Sequence, residues 1–376
     1  MSVPAPMVER LRRRLADDPS VLALQGAAAG GADRLASVGG AVARAVREEG
    51  VLLPAGELAA LVRELVDVLA GLGPVEPLLR DPLVTDVMLN GPGEVWVERG
   101  GRLEAVAVGY PDASALHDAV LRVIGPLGLR LDRARPFVDA RLPDGSRLHA
   151  VVPPVAPHGP VVTIRRFPPL RLGWDDLVAA GTLPRAAADL LRAAVRERRA
   201  VVCCGPTGSG KTTLLGLLVG EVGADERVVL IEEAAELPRA APHLVRLETC
   251  DPNVEGAGEV TLRDLVRQSL RMRPDRIVVG EVRGAEVVDV LQAMATGHAG
   301  CMTTVHARSA DEALVRLEGM ALIAGLPLVA VRAQLAAVLD LIVVLGRDLD
   351  GTRRLREIAE VQRGAEGPVV VRRWRA

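Results

Sequence analysis

The chain has little cysteine: four residues in 376, Cys203, Cys204, Cys250 and Cys301. None is spaced as C-x-x-C, so neither a disulfide framework nor a four-cysteine zinc site is written in the sequence. A reducing, cytosolic compartment fits. Long apolar runs are also missing. None reaches the roughly 18 residues that a membrane-spanning helix requires, and the first segment interrupts its apolar residues with Glu9, Arg10, Arg12, Arg13, Arg14, Asp17 and Asp18. It does not read as a signal peptide. Charge of one sign is absent too: 46 basic residues face 48 acidic ones, for a formal net charge of -2. No global field favours nucleic acid or an anionic membrane, so any such contact is local.

Lysine is scarcer still. Lys211 is the only one, every other basic side chain being arginine. Most lysine positions can drift to arginine without physical cost. A position that keeps its compact ammonium is one that a planar guanidinium fits poorly. Lys211 belongs to Gly205-Pro206-Thr207-Gly208-Ser209-Gly210-Lys211-Thr212, which follows an apolar run, Ala200 to Cys204, and leads through Thr213 into an apolar helix start. This strand, loop and helix order is the context a phosphate-binding loop needs: loop N–H groups and the helix N-terminus surround the phosphates, Lys211 reaches the β and γ oxygens, and Thr212 ligates Mg²⁺. The residues predict a site for Mg·ATP.

Length predicts two domains and a smaller terminal segment. Residues 1–54, rich in Ala, Gly and Arg, read as a mobile helical segment broken around Gly26 to Gly31. Glu57 to Leu72 places Leu58, Leu61, Val62, Leu65, Val68 and Leu69 on one helical face, and Gly71-Leu72-Gly73-Pro74 stops it. Strand-like runs follow at Val84 to Leu89, Glu94 to Glu98 and Val161 to Arg166. Turns are expected at Asn90-Gly91-Pro92-Gly93 and Pro143-Asp144-Gly145, and a helix over Val120 to Ile124. Residues 55–168 thus read as an α+β domain, with Phe167-Pro168-Pro169-Leu170 as linker. From there to residue 376, helices alternate with wholly apolar runs at Ala200 to Cys204, Arg227 to Ile231, Arg276 to Val279 and Leu339 to Leu345, the signature of buried parallel strands. The second domain, residues 169–376, is therefore α/β, with its chemistry at the strand ends.

Three further groups carry chemistry. The run Arg276 to Val279 ends in Gly280-Glu281, and Arg283 follows. If its strand is adjacent to the P-loop strand, Glu281 comes beside Thr212, where it can hold Mg²⁺ through water or orient the attacking water. A third run ends in Glu232-Glu233, with Glu236 a turn further. These carboxylates are placed to accept a proton from water or support the metal, or they form an acidic loop favoured by a helix dipole. The last group is Thr296-Gly297-His298 with Thr303-Thr304-Val305-His306. His298, Cys301 and His306 could ligate a metal, but a fourth ligand is missing. A phosphate sensor built from the threonines and the imidazoles fits better.

Four boxes in this order resemble the secretion ATPase superfamily of type II and type IV secretion and pilus motors: Gly205 to Thr212, Ile231 to Glu236, Val279 to Arg283, and Thr296 through His306. Asp86-Val87-Met88-Leu89-Asn90-Gly91, Val138 to Gly145 and Arg271-Met272-Arg273-Pro274-Asp275 are similar to its tight-adherence (TadA/CpaF) branch. The resemblance spans about residues 55–346. It implies a RecA-like P-loop domain preceded by an α+β, PAS-like N-terminal domain. It further implies an ATP-hydrolysing homohexameric ring that drives pilus assembly or secretion, cytoplasmic but peripheral at the membrane through inner-membrane platform proteins. By motif position Arg141 and Arg147, with Arg165 and Arg166 behind them, are the N-terminal-domain arginines implied to reach nucleotide. Two departures stand out: Glu233 occupies a position where the family usually carries aspartate, and the tetracysteine insertion of some type II relatives is absent. The competing reading is a conjugal DNA-transfer or helicase-like translocase, for which the sequence offers weak basic clusters such as Arg10 to Arg14 and Arg196 to Arg199.

Overall fold

A computed structural model of the chain describes residues 10–11, 14–15, 31–49, 54–166, 172–238, 240–250, 252, 257–348, 350–365 and 367–375. The stretch Phe167 to Leu170, read above as a linker, and the glycine-rich break at 26–30 lie outside them. The chain divides into two compact units, Met1–Pro168 and Pro169–Ala376.

In the first unit six strands form one antiparallel sheet in the order β3-β2-β1-β6-β5-β4: β1 is Val84–Leu89, β2 Val95–Arg99, β3 Arg102–Val106, β4 Phe137–Arg141, β5 Arg147–Val151 and β6 Val161–Arg165. Burial alternates along β4, β5 and β6, as expected when one face of a sheet is packed and the other solvated. Val87, Leu148, Val162 and Ile164 of the packed face meet Leu116, Val120 and Ile124 of the helix Ala113–Ile124. That helix starts where the Asp112 carboxylate accepts the Ala115 N–H at 2.8 Å, an N-cap. The turn expected at Pro143-Asp144-Gly145 forms, with Gly145 at φ +89° and Asp144 accepting the Ser146 N–H at 3.0 Å. The segment read as mobile contains a helix, Gly31–Glu48, whose Val38, Val42 and Val46 cluster with Leu61, Leu65 and Leu69 of the helix Ala55–Ala70.

The second unit is built on an eight-stranded sheet in the order β14-β13-β12-β7-β11-β10-β8-β9. Its strands are β7 Val201–Cys204, β8 Val228–Glu232, β9 Leu244–Glu248, β10 Arg276–Val279, β11 Met302–Val305, β12 Leu341–Arg347, β13 Arg353–Arg363 and β14 Pro368–Arg375. From β12 to β9 every pairing is parallel, and the β12–β13–β14 pairings are antiparallel. Strands β7, β8, β10 and β11 are buried throughout. Their alternate side chains feed two cores, Val202 and Cys204 on one face and Val201 and Cys203 on the other. This is why those runs are apolar at every position rather than at every second one.

The order corrects one expectation. The strand ending at Glu281 is not adjacent to the P-loop strand, because β11 lies between β7 and β10, and β8 lies beyond β10. The short Met302–Val305 run, read above only as part of a sensor, is that central strand. Two threonines disguise it, yet Thr303 and Thr304 are each 2% exposed.

Arg276, at the start of β10, is 1% exposed. Its Nε and Nη2 donate to the two Glu226 oxygens at 2.8 and 3.0 Å, and Nη2 also to the Val195 carbonyl at 2.8 Å. Gly300 passes so close that a Cβ there would stand 1.9 Å from Arg276 Nη1. Arg276→Met removes the buried one of two guanidinium partners of a carboxylate that is itself only 9% exposed, leaving it Arg198 at 3.0 Å. It is expected to destabilise the unit by about 3 kcal/mol, read as a lower denaturant midpoint at unchanged m-value.

Candidate active site

The parallel register brings four strand ends to one edge of the sheet. Val305 pairs with Cys204, and Val279 with both Thr303 and Ile231. The loops that follow, Gly205 to Gly210, His306, Gly280 to Arg283 and Glu233 to Leu237, therefore emerge side by side at the carboxyl ends of the strands, where open α/β sheets bind ligands.

The phosphate loop is held open by its glycines. Gly208 and Gly210 have φ of +72° and +95°, a region that side chains other than glycine adopt at a cost. At Gly205 a Cβ would stand 2.5 Å from both the Leu345 carbonyl oxygen and Ser209 Oγ. The helix Lys211–Gly220 has no side-chain N-cap, so its first N–H groups have no partner from a capping residue. Ser209 Oγ is buried without a hydrogen-bond partner. Lys211 is 8% exposed, and its Nζ donates to the Gly205 and Pro206 carbonyls at 3.0 and 3.2 Å. Burial lowers its pKa and the nearby Glu281 carboxylate works in the other direction. An uncapped helix start, a glycine cradle, an orphan hydroxyl and one buried ammonium suit a polyphosphate. Thr212 and Glu281 offer the hydroxyl and carboxylate oxygens that a hard divalent cation takes.

Glu281 is the hub of the opposite wall. Arg283 Nε donates to Glu281 Oε2 at 3.0 Å, while His306 Nε2 lies 2.8 Å from Oε1. The same guanidinium reaches across through Nη1 to Glu233 Oε2 at 2.9 Å. The His306 pKa is lowered, first by burial and then by Lys211, against the pull of Glu281. The ring thus stands against the carboxylate at ion-pair distance, while Glu281 Oε1 itself is buried without a hydrogen-bond partner. Glu281, Arg283 and Glu233 form one hydrogen-bonded chain, with His306 Nε2 close against Glu281, within electrostatic range of Lys211.

The other expected residues lie elsewhere. Glu232 is 3% exposed, and its Oε1 accepts the Glu236 and Leu237 N–H groups, each at 2.9 Å, while Arg246 Nε lies 3.2 Å from Oε2. Burial raises its pKa. The geometry gives Glu232 the task of folding its own loop. Glu236 is exposed and contributes its backbone N–H to that loop. Glu233, not Glu232, meets Arg283, and its extra methylene relative to aspartate does not prevent this. His298 sits at the end of the helix Glu286–Ala295, where its Nδ1 donates to the Ala293 carbonyl at 3.1 Å. Thr304 Oγ1 donates to the Gly280 carbonyl at 2.8 Å, so the hydroxyl expected to sense phosphate ties β11 to β10. Cys301 is buried, its thiol pKa pushed up to about 11 by burial. Among the described residues no group of three or more His, Cys, Asp or Glu is placed to hold a metal ion.

In the first unit, Arg141 pairs directly with Arg147 across β4 and β5, and Arg147 with Arg165 across β5 and β6. Three of the four expected arginines thus line one row of the sheet, and Arg165 Nε donates to Asp86 Oδ1 at 3.0 Å. Arg166 is different: its Nη1 donates to the Val84 carbonyl at 2.9 Å, bracing the chain. Two arginines that sequence reasoning missed, Arg347 and Arg353, reach the phosphate loop from β12 and β13. Far downstream and outside any recognisable spacing, they gave no signal.

The sequence profile of the family described as "Type II/IV secretion system protein" matches residues 68–366. Rv3659c of Mycobacterium tuberculosis (strain H37Rv), which carries a conjugal-transfer name, is 47% identical over 327 residues, 85% of this chain and 93% of that protein. The conjugal transfer protein TrbB of Rhizobium radiobacter is 36% identical over 76% of this chain and 85% of its own length. The type IV secretion system protein VirB11 of Brucella suis is 34% identical over 80% and 91%. Among solved structures, the pilus retraction motor PilT with bound ADP superposes with a TM-score of 0.56 at 19% identity, covering 77% of this chain and 83% of that one. The Legionella pneumophila ATPase DotB gives 0.55 at 23%, covering 76% and 79%. These two show the shared fold, an N-terminal domain followed by a RecA-like domain. The relatives carry conjugal-transfer and type IV secretion names rather than tight-adherence ones. No helix among the described residues is long and apolar enough to cross a membrane.

Proposed function

This chain belongs to the type II/IV secretion system protein family, and we propose that it hydrolyses Mg·ATP as a homohexameric ring motor that drives assembly of a type IV-like pilus or secretion machine. The observation that carries the reading is Glu281. One of its oxygens is held by Arg283, and the other, buried without a hydrogen-bond partner, lies 2.8 Å from His306 Nε2, with the buried Lys211 in electrostatic range. A carboxylate so oriented can position a water in line with a γ-phosphoryl group and take up its proton. Mg²⁺, when bound, neutralises charge on the phosphates, with Thr212 and Glu281 as its protein-side oxygens. Lys211 and the loop N–H groups bind and orient the phosphates, and Arg283 fixes Glu281 against Glu233. Glu232 shapes the neighbouring loop. In the ring, Arg141, Arg147 and Arg165 supply positive charge to the nucleotide. The ring works at the cytoplasmic face of the membrane through platform proteins, with the tight-adherence machine as the cargo system that the sequence motifs favour.

A second reading, conjugal DNA transfer, is favoured by the name of the 47% identical relative. ATPase rate against protein concentration, with and without single-stranded DNA, separates the two. The ring motor for pilus or protein export predicts a cooperative rise in specific activity with concentration and indifference to DNA. Stimulation of several-fold by DNA that fades as salt rises, as phosphate-dominated binding does, would put the DNA motor first. A rate strictly proportional to protein concentration throughout would sink the ring.

A further inference from the structure

The phosphate loop has a second cationic wall on the side away from Glu281. Strand β12 flanks β7 there, with Val344 paired to Cys204. It runs beyond the end of β7 to Arg347, so Leu345, Gly346 and Arg347 pass alongside the loop. The chain then reverses through Asp348 to Thr352, with the Asp348 N–H on the Thr352 carbonyl at 2.8 Å and Gly351 at φ +87°, and returns as β13. The pairing carries a bulge. Val344 faces Glu357 but Leu345 faces Leu355, leaving Arg356 as the extra residue. Bulges re-aim the side chains that follow them. Without this one Arg347 would face Arg354, whereas with it Arg347 faces Arg353.

Directly opposed residues of an antiparallel pair lie on one face, and like charges there repel. Both side chains approach the loop tip. Arg353 Nε donates to the Gly208 carbonyl at 3.1 Å, and its Cδ lies 3.6 Å from where a Cβ on Gly210 would be. Arg347 Nη1 lies 3.0 Å from the corresponding point on Gly208, and its Nη2 3.8 Å from that on Gly351. In the turn, Asp348 accepts from Arg354 at 3.0 Å and from Arg356, and Asp350 accepts the Thr352 N–H at 2.8 Å.

We propose that Arg347 and Arg353 form a clamp, supplied from the same chain, for the phosphates of the bound nucleotide. Arg353 is a positioning residue. It binds the Gly208 carbonyl from outside, which keeps that peptide unit from rotating its oxygen into the cradle and so turns the loop's N–H groups toward the anion. Arg347 adds a guanidinium over the loop tip. The proposal rests on the ATPase reading and adds a source of affinity to it.

The test is nucleotide binding and turnover by the full-length protein with Arg347→Ala, Arg353→Ala, the double replacement and Arg353→Lys. Each single alanine is expected to raise the KM for ATP about tenfold and the pair about a hundredfold, with kcat at saturation changed less than threefold. Arg353→Lys should recover part of the loss. Calorimetry with MgADP and with inorganic pyrophosphate should show parallel losses, because the contact is to phosphate. An unchanged KM in the double variant overturns the clamp, as does a loss confined to MgADP, which would place the arginines on the base. A wild-type protein that binds neither probe overturns the ATPase reading itself, so the two failures are told apart.

Discussion

Glu281→Gln should leave nucleotide affinity within about threefold of the wild type while lowering turnover by about 10²- to 10⁴-fold, the usual loss when a general base is removed. The amide keeps the size of the side chain and can still accept from Arg283 through its oxygen, so the loop should hold its shape. What disappears is the charge that orients the attacking water and takes its proton. With its oxygen toward Arg283, the glutamine presents its NH2 group to His306 Nε2. The charge that pairs with Arg283 is gone, and a modest fall in thermal midpoint should accompany the loss of rate. Binding of a fluorescent ADP analogue and phosphate release, measured on the same preparation, check both halves. Turnover at the wild-type rate would remove Glu281 from the catalytic assignment, and loss of binding would make it chiefly a ligand for the metal.

Lys211→Ala should weaken nucleotide binding by at least about tenfold and abolish turnover. The ammonium is 8% exposed and already points into the loop, donating to Gly205 and Pro206 carbonyls 3.0 and 3.2 Å away. A polyphosphate offers it a full negative charge in place of two carbonyl dipoles. Loss of a charge-assisted bond of this kind is worth about 1.5 to 3 kcal/mol, a factor of about 10 to 150 in affinity. Loss of the field that steadies the γ-phosphoryl group comes on top, so turnover should fall below detection. Lys211→Arg sharpens the point, since a planar fork cannot occupy a pocket shaped for a compact ammonium. It should bind no better than the alanine variant. Both variants should melt close to wild type, because the loop glycines fix the backbone whichever side chain is present. Full binding by the arginine variant would contradict the reading of the single lysine.

Much of the site was legible before any fold was known. The phosphate loop, the strand that ends in Glu281 and the hairpin turn at Pro143-Asp144-Gly145 rest on local spacing, and local spacing is what a linear chain records; the arginines of the first unit came from the family resemblance, and their row appears only in the strand register. Strands β8 and β10 were visible because they are apolar at every position. Strand β11 was not, because Thr303 and Thr304 interrupt its pattern. Only the parallel pairing that buries them shows that they belong to the centre of the sheet. Strands β9, β13 and β14 were missed for a related reason. They lie toward the edges of the sheet, β9 half-buried throughout, and arginine and glutamate break up their apolar runs.

By itself the sequence determined which groups the chemistry can use: one ammonium, a hydroxyl beside it, a set of carboxylates and two imidazoles, each attached to a strand end or a turn by residues a few positions away. Tertiary structure decided which of them meet. Glu232 and Glu233 are neighbours in sequence and alike in chemistry, yet side chains at the end of a strand alternate in direction. The first turns inward to its own loop and the second outward to Arg283. His298 and His306 divide in the same way, one at a helix end and the other on Glu281. Strand order is not a local property, so the insertion of β11 between the P-loop strand and the Glu281 strand could not be read from either. Arg347 and Arg353 come to the phosphate loop only because β12 pairs with β7 and a single bulge shifts the register of the strand that follows.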